Sequence, residues 1–285
     1  MTVAVVTDST AYLPPMPIAA PRLTVVPLAV VVNGVLGLET VDIDSATVAD
    51  ALNARRVAVT TSRPSPEAFS QVYREQLDSG ADAVLSVHLS ARLSGTYDAA
   101  VLAAEEFGDR VEVIDTQSTG MGLGFPALAA AEAAAAGGSL AQVRQAALDA
   151  VGRTTTLFYV DTLEFLRRGG RIGAGAALLG TALSVKPILH TTDQGVVVRE
   201  KVRTAGRALA RLVDIAVEAS GDGDVDVAVH HLAAPDRADG LLTTLKERLG
   251  ERLRAAYLTE VGAVVGAHVG PGMVAVVVHR AAAGA

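Results

Sequence analysis

"ADAVLSVHLSARLSGTYDAAVLAAEEFGDRVEVID", residues 81–115, decides how the chain is read. It opens with an apolar run of strand length. A Ser/Gly turn follows, then a helical stretch from Ser94, and "VEVID" closes it as a second strand. Two strands joined through a helix belong to a parallel sheet whose faces are covered. Upstream, "VAVVTDS" reads as a further strand and "SPEAFSQVYREQL" as a helix, with Ser65 its N-cap and Pro66 in the first turn. "LTVVPLAVVV" is apolar, but Pro27 argues against a central place in a sheet. "FPALAAAEAAAA" predicts a helix ended by Gly137-Gly138, and Ser139 with Gln142 predicts a capping box for the next.

Downstream the pattern changes. "TTLFYV" is a strand, and Asp161 is expected to cap a short helix in "TLEFLRRGG". Residues 186–202 read as a hairpin turning at Asp193-Gln194-Gly195. From Thr204, Ala208, Leu212 and Ala216 recur with helical period. "VDVAVHHL" and "MVAVVVH" are strands with a helix, "LLTTLKERL", between them. The stretch 261–278, "VGAVVGAHVGPGMVAVVV", predicts two buried strands around a loop; its glycines and proline exclude a membrane helix. The expectation is an α/β chain of two domains. Residues 1–152 carry a mostly parallel sheet with helices on both faces, and residues 153–285 a mixed sheet with helices.

Composition narrows the function. The chain has 285 residues and a formal charge of −7, with no long basic run, which argues against nucleic acid as partner. It has no cysteine, which excludes disulfides and thiolate chemistry. The N-terminus "MTVAVVTDST" reads as a strand rather than a signal peptide, so a soluble cytoplasmic protein is expected. No metal site is expected: the histidines are scattered, and His230 and His231, adjacent in a strand, point to opposite faces. No cofactor is expected either. "TGMGLGF", residues 119–125, resembles a dinucleotide loop, but the acid about 20 residues on is missing; helix–strand packing and a turn explain its glycines better. There is no nucleophile elbow. Ser94, His268 and Asp115 can be nominated as a triad, as any chain of this length allows.

Three loops carry more. "TTSRPSP", residues 60–66, and "LSARLSGTY", residues 89–97, place hydroxyls before helices, whose N-termini attract anions. The plain alternative is that Ser62, Ser65 and Ser94 are ordinary caps. "RRGGRIG", residues 167–173, aims Arg171 from a glycine turn. Together with His268 in "GAHVGPG", these residues describe a carboxylate- or phosphate-binding mouth before an Ala/Val-rich interior.

In order and spacing, "VAVVTDST", "TSRPSP", "LSARLSGTYDAA", "VIDTQSTGMGLGF", "LEFLRRGGRIG", "LLGTALSVKPILH" and "GAHVGPG" resemble the DegV family, over residues 3–278. The resemblance implies a ligand cleft between two α/β domains that holds a fatty acid. It implies no catalytic residue of the chain's own. It implies instead a subunit that presents the acid to a separate ATP-dependent fatty acid kinase, the acyl phosphate feeding phospholipid synthesis. Carried over, Thr61 and Ser62 lie near the carboxylate, Ser94 with Gly95 binds it, and Arg171 and His268 complete the head-group site. Arg63 departs from the family's frequent Gln, and Ala91-Arg92 from a stretch that is usually small or apolar; both bear on local charge. The basic stretch with Arg199, Lys201 and Arg203, continued by Arg207 and Arg211, is expected to meet a kinase partner or, transiently, anionic lipid; a solvated face is the alternative. Two other readings stay open: a serine esterase or thioesterase using Ser94 and His268, and a carrier for another amphipathic acid.

Overall fold

A computed structural model describes residues 1–14, 23–54, 58–172 and 185–282. The βαβ reading of residues 81–115 holds. Strands β1 (Val3–Asp8), β2 (Leu23–Val26), β6 (Ala83–His88) and β7 (Val111–Asp115) form a parallel sheet in the order β2-β1-β6-β7. The strands are apolar on both faces because both faces are covered. Val3 and Val5 pack toward helices α4 (Met121–Ala135) and α5 (Leu140–Arg153). Ala4 and Val6 pack toward α2 (Pro66–Asp78) and α3 (Thr96–Ala104). The capping expectations hold: Ser65 accepts from Ala68 N–H, and Ser139 and Gln142 form a reciprocal box.

Pro27 divides its apolar run. The chain leaves the edge strand β2 there and enters a three-stranded antiparallel sheet that the sequence reading did not anticipate. Its strands are β3 (Ala29–Val32), β4 (Val35–Leu38) and β5 (Val59–Ser62), in the order β4-β3-β5, and helix α1 (Ser45–Asn53) comes between β4 and β5 along the chain.

The second sheet is mixed, in the order β10-β9-β8-β13-β11-β12: β8 (Thr154–Tyr159), the hairpin β9 (Lys186–Thr192) and β10 (Gly195–Val202), β11 (Val225–His231), β12 (Leu253–Glu260) and β13 (Val274–Arg280). All its pairings are antiparallel except β11–β12. Between Arg168, the end of α6 (Glu164–Arg168), and β9 the apolar stretch 174–180 lies outside the described residues. Helices α7 (Ala205–Ser220) and α8 (Pro235–Leu249) cover one face of the sheet through Ala208, Leu212, Leu241 and Leu245. The other face, with Phe158, Leu189 and Ala275, looks toward the first half of the chain.

Three local expectations are corrected. Helix α4 starts at Met121, so the glycine turn is largely helix. A side chain at Gly122 would overlap Ser118 Oγ and Thr156 Oγ1; glycine stands there for close packing. Asp161 is not a cap: it accepts from Tyr159 OH and Arg237, while Thr162 Oγ1 serves Glu164 N–H. The stretch 261–278 is not two strands. Its first part is a short helix, α9 (Ala263–Val269), ended by Gly270 in a positive-φ conformation, and only its second part is strand β13. The helix's Gly and Val content gives little helical propensity; its first N–H groups are satisfied from outside, by Glu39 and Tyr12. It packs into the core of the first half through Ala263, Val264 and Ala267.

Candidate functional site

A cavity of about 360 Å³ lies between the two halves, inside the usual range for small-molecule sites of ~300–1,000 Å³. Its floor is the inner face of the mixed sheet, with Thr156, Phe158, Thr191, Val196 and Ala275, and its wall includes Leu28, Leu89, Val261, Val264 and Met273. All six head-group candidates, Thr61, Ser62, Ser94, Gly95, Arg171 and His268, line this one cavity, and Arg63 joins them.

They come from four places in the fold. Thr61 and Ser62 close β5, Thr61 opposite the buried Val30. Ser62 and Ser94 are not N-caps. Ser62 ends a strand, and α3 starts from Gly95, with Ser94 Oγ accepting from Thr96 N–H at 3.2 Å. The Ser94 loop hangs from the parallel sheet, because Leu89 N–H donates to the buried Asp8 carboxylate at 3.1 Å. His88 on the other Asp8 contact, at 2.9 Å, fixes that carboxylate in turn. Gly95 gives Arg63 its place: its missing side chain is where the Arg63 guanidinium lies.

Arg171 follows the Gly169-Gly170 turn, where Gly170 has φ +72°. Its Nε donates to the Leu93 carbonyl at 3.0 Å and another nitrogen donates to the Gly169 carbonyl. The guanidinium therefore ties the 167–171 turn to the Ser94 loop, and partial burial lowers its pKa. His268, in the last turn of α9, has Nε2 at 2.8 Å from Thr61 Oγ1. The ring rests against Gly169, where a side chain would strike Nδ1. Burial first, and Arg171 second, push His268 down to about 4. At neutral pH the mouth thus holds a neutral imidazole, hydroxyls and guanidinium groups: donors for an anion, with the positive charge carried by arginine.

No hydrogen bond links Ser94, His268 and Asp115. Ser94 pairs with Thr96, His268 with Thr61, and Asp115 accepts from Gln117 N–H. The basic candidates lie apart from the mouth. Arg199, Lys201 and Arg203 are exposed on and after the edge strand β10, whose Val196 lines the cavity. Arg211 is held by Glu200 and Glu218 at 2.8 and 2.9 Å. Among the described residues, no cluster of His, Asp or Glu suits a metal ion, and no helix is long and apolar enough to cross a membrane.

Two further polar residues line the cavity and carry no signal in the sequence that points there, His230 on its floor and Tyr12. In the sequence His230 is only one of an adjacent pair in a strand; both its ring nitrogens are engaged, Nε2 accepting from Met121 N–H at 2.9 Å and Nδ1 lying 2.8 Å from Thr259 Oγ1. Tyr12 stands just past "TDST" in a left-handed conformation, with φ 44°.

The comparisons agree with this architecture. A family model described as an uncharacterised protein of the DegV family matches residues 2–281. A DegV domain-containing protein of Streptomyces coelicolor is 52% identical over 276 residues, covering 97% of this chain and 98% of the relative. A DegV family protein of Thermus thermophilus, described as fatty acid binding, superposes with a TM-score of 0.91 at 35% identity, over 99% of this chain and 100% of its own. DegV of Bacillus subtilis, described as a fatty acid binding protein, gives 0.88 at 30% identity, over 99% and 100%. With the matched model spanning nearly the whole length and the motifs folded around one cavity, the chain belongs to the DegV family.

Proposed function

We propose that this protein binds one long-chain fatty acid in the cavity and presents its carboxylate to a separate ATP-dependent kinase subunit, doing no chemistry alone. One observation carries the reading: Thr61, Ser62, Ser94, Arg171 and His268 line one largely apolar cavity, with Thr61 on the His268 ring and Arg171 on the Ser94 loop. A carboxylate taken out of water needs such donors, or it costs several kcal/mol. The apolar walls favour the tail by ~0.8 kcal/mol per buried methylene, before ordering costs are subtracted. The fatty acid binding described for the Thermus thermophilus and Bacillus subtilis proteins supports the choice of ligand. The exposed Arg199, Lys201 and Arg203, on the strand that reaches the cavity at Val196, are the surface we assign to an acidic kinase face or, transiently, to anionic lipid.

The test is acyl phosphate formation from palmitate-loaded protein and ATP, trapped with hydroxylamine as the hydroxamate. The reading predicts product only when a fatty acid kinase subunit is added. Product without a partner, or none with one, would contradict it.

A further inference from the structure

Glu39 ends the small antiparallel sheet, one residue past β4, and is 1% exposed. Its carboxylate has three donors. Ser9 Oγ and Tyr12 OH reach it from the end of β1, Tyr12 at 3.1 Å, and Val264 N–H reaches it from α9 at 2.8 Å. Tyr12 OH in turn accepts from Val265 N–H at 3.1 Å. Burial raises the Glu39 pKa, and these donors oppose the rise.

Two of these bonds are donated by the helix that carries His268. A helix of seven residues is marginal on its own. Its first N–H groups have no partner within it, and its N-cap, Gly262, has no side chain to supply one. A side chain there would overlap the Glu39 carboxylate. The helix is therefore capped from outside, by residues 225 and 253 positions away. At its other end Gly270 is pressed against Phe165. Val264 and His268 are four residues apart and so lie one above the other on the helix. The helix start and the imidazole are then fixed to the same small sheet twice: Glu39 holds the first turn, and Thr61 meets the ring.

We infer that Glu39, assisted by Tyr12, is a positioning residue that sets the imidazole of His268 for the ligand head group, an assignment that rests on the mouth being a carboxylate site. Neither Glu39 nor its carboxylate has to touch the ligand. The end of β1 and the residues just after it form a hub: Asp8 anchors the Ser94 loop, and Ser9 and Tyr12 anchor Glu39.

The test is a double-mutant cycle on head-group selectivity, the ratio of dissociation constants for hexadecanol and palmitate. Glu39→Ala is expected to lower the ratio about tenfold, as His268→Ala does, and the double variant no further, because coupled residues are not additive. Glu39→Gln, which keeps an acceptor for Val264 N–H, is expected to stay within about threefold of wild type. Tyr12→Phe supplies a milder variant if Glu39→Ala does not fold. A folded Glu39→Ala or Tyr12→Phe with wild-type selectivity, or losses that multiply in the double variant, would overturn the inference. If the wild type binds neither ligand, the carboxylate reading falls, and the inference is then judged on the ligand-free protein. By NMR titration, the His268 pKa, about 4 in place, is expected to move toward 6.5 in Glu39→Ala or Tyr12→Phe and to stay in Glu39→Gln; an unmoved value in the folded Glu39→Ala and Tyr12→Phe variants would overturn it.

Discussion

Two histidines line the same cavity and differ in what they are free to do. His230, on the floor, spends both ring nitrogens on protein, one on Met121 N–H and one on Thr259. His268, at the mouth, has its Nε2 on a single threonine hydroxyl, with Arg171 as its charged neighbour. Burial pushes both down to about 4. The floor is thus a closed polar network under an apolar surface, and the mouth an open one. The lesson is that a perturbed titration does not identify a ligand group; spare hydrogen-bonding capacity at a cavity edge does.

The largest expected effect breaks the floor. Gly122→Ala forces a methyl onto Ser118 and Thr156 and is expected to cost about 1–3 kcal/mol in stability, read as a lower midpoint in urea. At the mouth the loss falls on binding instead. Arg171→Ala is expected to weaken palmitate by about 2 kcal/mol, roughly thirtyfold, measured by calorimetry. His268→Ala is expected to cost about tenfold in the same titration, with a smaller change in stability than Gly122→Ala.

Acid sharpens the comparison. The pKa of each ring in the folded state lies below its unfolded value of 6.5. The stability they confer is therefore whole above about pH 6.5 and lost as pH falls toward 4. The expected thermal midpoint is flat between pH 7 and 8 and declines between 6.5 and 4. A bound carboxylate beside His268 raises its pKa and leaves His230 as it was. Palmitate binding near pH 6 should then take up protons, measured as a dependence of binding heat on buffer ionisation enthalpy. His268→Ala should abolish that uptake. The smallest effect concerns the outer surface: charge reversal at Arg203 is expected to leave palmitate affinity unchanged and to weaken kinase coupling or vesicle transfer.

Much of this was legible in the sequence, for reasons that differ by region. The parallel sheet showed because its strands are continuous apolar runs punctuated by Ser/Pro caps, as at Ser65-Pro66 and Ser139. The six mouth residues were legible because they lie in short motifs, each placed next to a turn or helix start. Helix α9 was misread because Gly and Val dominate it locally, and what makes it helical lies elsewhere: Glu39 and Tyr12 cap it across more than 220 residues. The antiparallel sheet was missed because its strands are only four residues each. Glu39 gave no sequence signal at all, being a lone acid after a short strand. Residues that hold a site together through tertiary hydrogen bonds leave no local pattern.

Native mass spectrometry of the purified protein, with extraction and identification of what it releases, decides whether the cavity holds a fatty acid. The expected result is one C14–C18 fatty acid per chain, lost from His268→Ala at dilutions that wild type withstands. A protein that carries none, and takes up none when palmitate is added, would contradict it.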